Sequence, residues 1–363
     1  MAFPEFDPVG RKLLWFSRGR GRGHAIPDIE IAKELQKLDP AVQLRFVSYG
    51  TGARTLEKFG YPLIDLALPD MGSITDTTVM AGRLVGWLQP DLVVSHEEFS
   101  ALPAAKIFER PTVAILDFFT DGAKLSMQSL RYADRVIFTD YEGMFEVPPF
   151  LEGKVSYVGP VLRPFSYSRE DRGRARSELG IAAKAKVVAV LPGSWTEAMA
   201  PVAELVIGAF DLLASPKHLI WVAGADAALL AQRLEGRGDV TVLDTEWTIE
   251  RVMVAANVVI TKSNRKTLIE LEALGVPSVS LTHGLNPTDD ARARRIEANR
   301  TLDARRTAAS DLAGCLTNLP EPPRMQRPVG PAAQAAARIM EWAAAADRRY
   351  RPSTDATNPE PPG

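Results

Sequence analysis

Apolar residues follow two alternating patterns along most of the chain. Short continuous runs such as Leu92-Val-Val94 and Val113-Ala-Ile-Leu116 read as strands buried on both faces, as in a parallel sheet. Between such runs, Ile29, Ile31, Ala32 and Leu35 recur at helical spacing. In the first half these patterns predict strands at 12–17, 43–48, 91–95, 112–116 and 135–139. Helices are predicted at 26–38, 52–59, 99–108 and 124–132. The stretch VSYVGPVLRPFSYS, residues 155–168, breaks the alternation, and its Gly159, Pro160 and Pro164 mark a linker. A helix over 169–179 follows, then strands at 187–191, 218–223, 240–243, 257–261 and 278–281 with helices between. After Pro320-Glu-Pro-Pro323, an alanine-rich helix runs from Pro331 to about Arg348, with Ile339, Met340 and Trp342 to pack. The tail 351–363 is polar and proline-rich and is predicted to be disordered. The pattern predicts an α/β chain of two doubly wound, Rossmann-like domains facing a cleft. Their expected spans are 1–160 and 161–328, with the helix at 329–350 packing back on the first domain.

Composition narrows the class. A length of 363 residues exceeds one ordinary core, in agreement with two domains. A formal net charge of -2 argues against a general nucleic-acid binder. Cys315 is the only cysteine, so the sequence holds no intrachain disulfide or cysteine metal cluster, which fits a reducing compartment. The first residues lack the apolar core of a secretory signal, and no apolar run is long enough to span a bilayer. A cytoplasmic protein is the expectation.

In open parallel sheets, ligands bind beyond the carboxyl ends of the strands. In the first half the predicted strand ends deliver His24, then Ser95-His96-Glu97-Glu98, then Asp117. In the second half they deliver Gly193-Ser194, Gly224, Glu246-Trp247, Lys262-Ser263-Asn264 and Thr282-His283-Gly284. Acid–base groups gather on the first set, and small or hydroxyl residues suited to phosphates on the second. That division points to reaction chemistry on one wall and a nucleotide on the other. The most telling turn is SRGRGRGHAIPDIEIAKEL, residues 17–35. Gly19, Gly21 and Gly23 let the backbone approach a ligand, and the helix start favours an anion. Pro27 suits a first helical turn, and His24 at its mouth exchanges a proton near neutral pH. The competing readings are a structural turn with an incidental histidine and a dinucleotide site. The dinucleotide reading lacks its third glycine and the acid expected after the second strand, where the chain reads Phe46-Val-Ser-Tyr-Gly50.

The segment VVITKSNRKTLIELEALGVP, residues 258–277, is the second telling stretch. Ser263 is a good N-cap for the helix that follows, and Thr267 and Glu270 share one face of it. A carboxylate so placed can accept hydrogen bonds from the two hydroxyls of a ribose; an amphipathic helix with Glu270 in solvent is the plain alternative. The segment resembles the donor-binding signature of GT-B glycosyltransferases that use UDP-sugars. It is most similar to the family of the peptidoglycan N-acetylglucosaminyltransferase. Ser263, Thr267, Glu270, Ala273, Gly275 and Pro277 match that signature, while Asn264 replaces its glycine and Arg265 and Lys266 are bulkier than its usual residues. Gly21, Gly23, His24 and Pro27 resemble the family's first loop, Val158-Gly-Pro-Val161 its linker passage, and Leu191-Pro-Gly-Ser194 its phosphate turn. Glu246-Trp247 falls at its uracil-contacting loop. Its closing Asp-x-x-Gln…Asn-Ala element is reduced here to Asp289 and Asp290, with Arg292 and Glu297-Ala298 in place of the amides.

The resemblance implies an inverting transfer of a hexosyl or N-acetylhexosaminyl group from a UDP-sugar to an acceptor hydroxyl, with no cofactor. The donor would be held by the second domain, through Gly193, Ser194, Glu246, Trp247, Ser263, Asn264, Arg265, Lys266, Thr267, Glu270, His283, Asp289 and Asp290. No Asp-x-Asp motif occurs in the sequence, so a metal-bridged diphosphate is not expected. Helix N-termini and Ser194, Arg265 or Lys266 would carry the leaving charge. His24 is the expected base on the acceptor wall, with Glu97 and Asp117 as further catalytic candidates, Glu98 behind them, and Gly21 and Gly23 lining the loop. His96 is a further candidate base or else a cap of the turn after its strand, and His218 is read as structural. Acceptor-binding loops are expected near 69–88 and 118–128. The acceptor class is a small molecule, a lipid-linked sugar or a saccharide, with peripheral membrane contact in the lipid-linked case; oligomeric state is left open. Two alternatives stand beside this reading: a UDP-sugar hydrolase of the same fold, and a non-catalytic protein that binds a sugar nucleotide.

Overall fold

The structure, a computed structural model, describes residues 6–7, 9–68, 74–119, 125–192, 199–284, 287–319 and 330–350. It divides into two compact units, Met1–Arg163 with Val329–Gly363, and Pro164–Pro328.

The first unit is built on a seven-stranded parallel sheet. Its strands are β1 (Lys12–Ser17), β2 (Gln43–Ser48), β3 (Leu63–Asp65), β4 (Leu92–His96), β5 (Thr112–Leu116), β6 (Arg135–Phe138) and β7 (Val155–Tyr157). They lie in the order β3-β2-β1-β4-β5-β6-β7. Helices α1 (Ala25–Leu38), α2 (Gly50–Lys58), α3 (Ile74–Leu88), α4 (Ala101–Ile107) and α5 (Leu125–Ser129) connect them. The continuous apolar strands are buried on both faces, as the pattern requires. Leu13 and Trp15 of β1 enter one core with Ile29, Ile31 and Leu35 of α1. Leu14 and Phe16 enter the opposite core with Leu84 and Val85 of α3. This is the period-two alternation of a strand covered by helices on each side.

The second unit repeats the plan with six parallel strands. These are β8 (Lys186–Leu191), β9 (Lys217–Val222), β10 (Val240–Leu243), β11 (Val258–Thr261), β12 (Ser278–Thr282) and β13 (Asn299–Asp303), in the order β10-β9-β8-β11-β12-β13. Its helices are α6 (Arg172–Glu178), α7 (Met199–Asp211), α8 (Ala227–Arg233), α9 (Ile249–Ala255), α10 (Arg265–Leu274), α11 (Pro287–Ala293) and α12 (Ala309–Asn318). The chain then returns to the first unit as α13 (Pro331–Tyr350). Ala335, Ala336, Ile339 and Ala343 of α13 join the core that α1 lines, the three small alanines letting the two helices approach closely.

In each unit the strand order reverses direction at one place, between β1 and β4 and between β8 and β11. Those switch points open a crevice beyond the strand ends. Several elements go beyond the sequence reading. β3 and β13 are short or weakly apolar, so no run signals them. Helix α3 occupies most of the stretch expected as an acceptor loop at 69–88, and α5 part of 118–128. Two glycines weaken the helical signal of α3. One of them, Gly86, is needed where α3 meets α4, because a Cβ there would come 2.7 Å from the Phe108 ring. Residues 69–73, 120–124 and the tail 351–363 lie outside the described residues.

Candidate functional site

The first switch point is reached from β1 through the glycine loop. A Cβ on Gly19 would sit 2.3 Å from the Tyr49 carbonyl oxygen, and one on Gly52 2.8 Å from Gly19 Cα. Both glycines therefore allow the loop to lie against the start of α2, where the Gly52 N–H donates to Gly19 O at 2.8 Å. Gly21 turns the chain with φ +68°, a left-handed conformation that favours glycine. The loop delivers His24 to the first turn of α1, where its side chain makes no capping hydrogen bond. Its Nε2 instead lies 3.0 Å from Glu97 Oε2.

Glu97 directly follows β4 and is held in an uncommon conformation, φ +53°. Such backbone costs on the order of 1–3 kcal/mol and persists only where neighbours fix it. Here they do. Its N–H donates to Ile115 O at 3.3 Å, and its Oε1 accepts the Asp117 N–H at 3.0 Å. Arg18 Nη1 lies 3.7 Å from Oε2. Burial pushes the Glu97 carboxyl pKa up, but the hydrogen bond and charge of His24 more than offset that, and the net shift is downward. An ionised carboxylate thus faces the His24 imidazole.

His96 lies beneath this pair. Its ring meets that of His24 edge to face, with centroids 4.8 Å apart. It is fully buried, with Nδ1 2.6 Å from Asp28 Oδ1 and Nε2 3.5 Å from Asp117 Oδ1. Burial alone would lower its pKa; the Asp28 charge and the Asp117 contact outweigh burial and lift it to about 9. Of the two readings of His96, the turn cap is not what is found: the side chain points inward to Asp28 on α1. Thr139 donates to Asp117 Oδ1. Glu98, next along the chain, is bound by Tyr49 Oη at 3.0 Å and Ser100 Oγ at 2.7 Å. Burial and the Glu98 charge push the Tyr49 phenol up, so it remains a donor.

The sequence reading missed Asp28, Arg18, Tyr49 and Thr139. A signal for Asp28 was present. It lies four residues after His24 and shares a helix face with it, and it interrupts the apolar side of α1. A carboxylate in such a place needs a buried partner. Donor atoms of His24, His96 and Asp117 lie within 4.8 Å of one another, the one grouping among the described residues with the makings of a metal site.

In the second unit, Gly193 and Ser194 lie outside the described residues. At the switch point, β11 leads into Lys262, Ser263 and Asn264. Ser263 does not cap α10, as the sequence suggested. Asn264 is the N-cap residue, and the buried Ser263 hydroxyl donates to Asp290 Oδ1 in the first turn of α11. Arg265 is buried, whereas Lys266, Thr267 and Glu270 are half-buried along α10, as is His283 after β12 and Asp289 on α11. Helix α10 ends at Gly275 with φ +64°. Glu246 is engaged locally. Its Oε1 accepts the Thr248 N–H at 2.8 Å, and its Oε2 accepts from Arg251 at 2.5 Å. These bonds brace the start of α9 and leave the half-buried Trp247 as the accessible member of that pair.

No family model matches the chain. In sequence it is 24% identical over 310 residues to the UDP-N-acetylglucosamine–N-acetylmuramyl-(pentapeptide) pyrophosphoryl-undecaprenol N-acetylglucosamine transferase of Chlorobaculum tepidum, covering 77% of this chain and 81% of that protein. It is 23% identical over 286 residues to the same transferase of Chlorobium phaeobacteroides, covering 73% and 77%. In structure it is similar to the glycosyltransferase of kitacinnamycin, with TM-score 0.66, 17% identity and coverage of 94% and 100%. It is also similar to MurG of Acinetobacter baumannii, with TM-score 0.64, 16% identity and coverage of 91% and 99%. The UDP-GlcNAc 2-epimerase of Methanocaldococcus jannaschii shares the fold as well, with TM-score 0.62, 11% identity and coverage of 92% and 100%. Among the described residues no helix is long and apolar enough to cross a membrane. By its two parallel sheets and these likenesses, the chain has the GT-B fold, and in sequence it is similar to the peptidoglycan N-acetylglucosaminyltransferases.

Proposed function

We propose that this chain is a glycosyltransferase that moves a sugar from a UDP-sugar to an acceptor hydroxyl, with inversion and without a metal ion or other cofactor. The observation that carries the reading is the His24–Glu97 pair, 3.0 Å apart beyond the β1 and β4 strand ends. A hydroxyl attacking the anomeric carbon must lose its proton as UDP departs. An imidazole is basic enough to take it near neutral pH. The ionised Glu97 orients the ring and stabilises the imidazolium that forms, as a carboxylate does for a catalytic histidine elsewhere. Asp117 acts on this pair through its N–H to Glu97, so it is a positioning residue in this scheme. Likeness to transferases that use UDP-N-acetylglucosamine and a lipid-linked acceptor supports a UDP-hexosamine donor. A cytoplasmic enzyme that meets a lipid-linked acceptor at a membrane surface fits the same likeness. The donor would be held by the second unit, with Trp247 against the uracil, Glu270 on the ribose, and Ser263, Asn264, Arg265 and Lys266 near the diphosphate at the α10 start.

The test is a panel of nucleotide sugars with the purified chain, read by calorimetry and by UDP release with and without candidate acceptors. UDP binding with acceptor-dependent release is expected. Equal affinity for UDP, TDP and GDP would contradict the donor assignment. UDP release that needs only water would establish the hydrolase, and an interconverted sugar without acceptor would place the chain with the epimerases that share its fold.

A further inference from the structure

The cluster beneath the glycine loop has more donors than a proton acceptor needs. His96 is fully buried, and among the described residues its Nε2 makes no hydrogen bond. It faces Asp117 Oδ1 at 3.5 Å, beyond a normal hydrogen bond. That separation is close to the roughly 3.3–3.4 Å edge between two ligands on a tetrahedral zinc ion with bonds of about 2.0–2.1 Å. The rings of His24 and His96 cross at 80° with centroids 4.8 Å apart. Two imidazoles on one such ion hold their centres about 5 Å apart. The second ring nitrogen of His96 donates to Asp28 at 2.6 Å, and a carboxylate on the far nitrogen is the usual partner of a metal-binding histidine.

We infer that His24, His96 and Asp117 form a binding site for a divalent transition-metal ion, of which Zn²⁺ is the expected occupant. Two imidazoles and one carboxylate suit Zn²⁺ or Co²⁺, whereas Mg²⁺ demands oxygen ligands. Asp28 and Thr139 brace the two buried ligands. The His24 side chain, 15% exposed, is the one that must move to close the donor set from its 4.8 Å spread, and it is the route of entry. The ion takes the Nε2 lone pair of His96, which must be free of a proton to bind it. It also takes a lone pair of His24. The consequence for activity rests on the function proposed above: a bound ion removes the proton acceptor, so Zn²⁺ inhibits an enzyme that needs no metal.

The test uses the full chain, stripped of metal by chelator and free of any histidine tag, titrated with Co²⁺ alone. Intense visible absorption of a low-coordinate Co²⁺ is expected, saturating at one ion per chain and bleached by Zn²⁺. His24→Gln and His96→Gln should each abolish it. Asp28→Asn should weaken binding by about 10–100-fold, as loss of a supporting carboxylate does. His218→Gln should leave the spectrum unchanged, since His218 lies in the other unit. Absence of the absorption in the native chain, or its survival in His24→Gln, would overturn the site. His24→Gln is decisive even where His96→Gln fails to fold, because the His24 side chain is partly exposed and circular dichroism checks its fold. Turnover is measured separately. Zn²⁺ that bleaches the Co²⁺ absorption yet leaves turnover unchanged would keep the metal site and refute His24 as the base.

Discussion

Replacing Glu97 by glutamine changes one property of the site and leaves its volume. The amide can still accept the Asp117 N–H, a bond of 3.0 Å. What is lost is the negative charge 3.0 Å from His24 Nε2. A hydrogen bond to a charged group contributes about 1.5–3 kcal/mol, against about 0.5–1.5 kcal/mol for a neutral one. The difference, roughly 1–2 kcal/mol, falls on the imidazolium that forms as the hydroxyl is deprotonated. Glu97→Gln should therefore lower kcat about 5–30-fold, since 1.4 kcal/mol is tenfold in rate. The KM for the nucleotide sugar should hardly change, because the residues proposed to bind it belong to the second unit. His24→Ala should cost more, about 10²–10⁴-fold in kcat. The decisive assay is the double variant. If Glu97 acts through His24, removing both costs no more than removing His24 alone, because residues that work as one unit are not additive. Melting temperatures measured alongside separate this from a structural role. An unchanged kcat in Glu97→Gln, or a Glu97 penalty as large without His24 as with it, would refute the reasoning.

Other predictions follow from the second unit and from the charges. Glu270→Ala should weaken UDP binding by about 1–3 kcal/mol, the cost of leaving hydrogen-bonded ribose hydroxyls without a partner; calorimetry with UDP checks it, and an unchanged affinity would remove Glu270 from the donor site. Turnover should be the same in excess chelator as without it, because helix termini and basic side chains are proposed to carry the diphosphate charge; activity lost to chelator and restored by magnesium or manganese would contradict this. His218 is half-buried, with Nε2 2.9 Å from Thr241 Oγ1, and burial lowers its pKa against the opposing charge of Asp239. The unfolded chain then binds that proton more readily, so the contribution is full above about pH 6.5 and is lost as pH falls through the depressed folded value. Chemical denaturation at pH 7.5 and pH 5 should show a smaller loss of stability in His218→Gln than in the native chain.

The parallel strands and the order of the two units were legible because a strand buried on both faces must be continuously apolar, and β1, β4, β5, β8 and β11 are. The rule that ligands gather at strand ends then named His24, Glu97 and Asp117 without coordinates. It did not say which way three consecutive titratable residues, His96, Glu97 and Glu98, would point. In an extended strand neighbours alternate between two faces, which would send His96 and Glu98 together. The chain does otherwise. Register pairs Ser17 with His96, so His96 ends its strand alongside β1 and finds Asp28 on the helix that follows. At Glu97 the backbone turns left-handed, φ +53°, a conformation rare outside glycine and asparagine and without a sequence signature here. That single turn lets Glu97 reach His24 and sends Glu98 to Tyr49, so three adjacent residues serve three separate partners. The energy to hold it comes from contacts distant in sequence, the Ile115 carbonyl and the Asp117 N–H among them. A strained residue at the mouth of a strand end persists only if those contacts outweigh its cost. Replacing Glu97 by glycine would relieve the strain and delete the carboxylate together, which is why the glutamine variant, with the same backbone and no charge, is the one that isolates the chemistry.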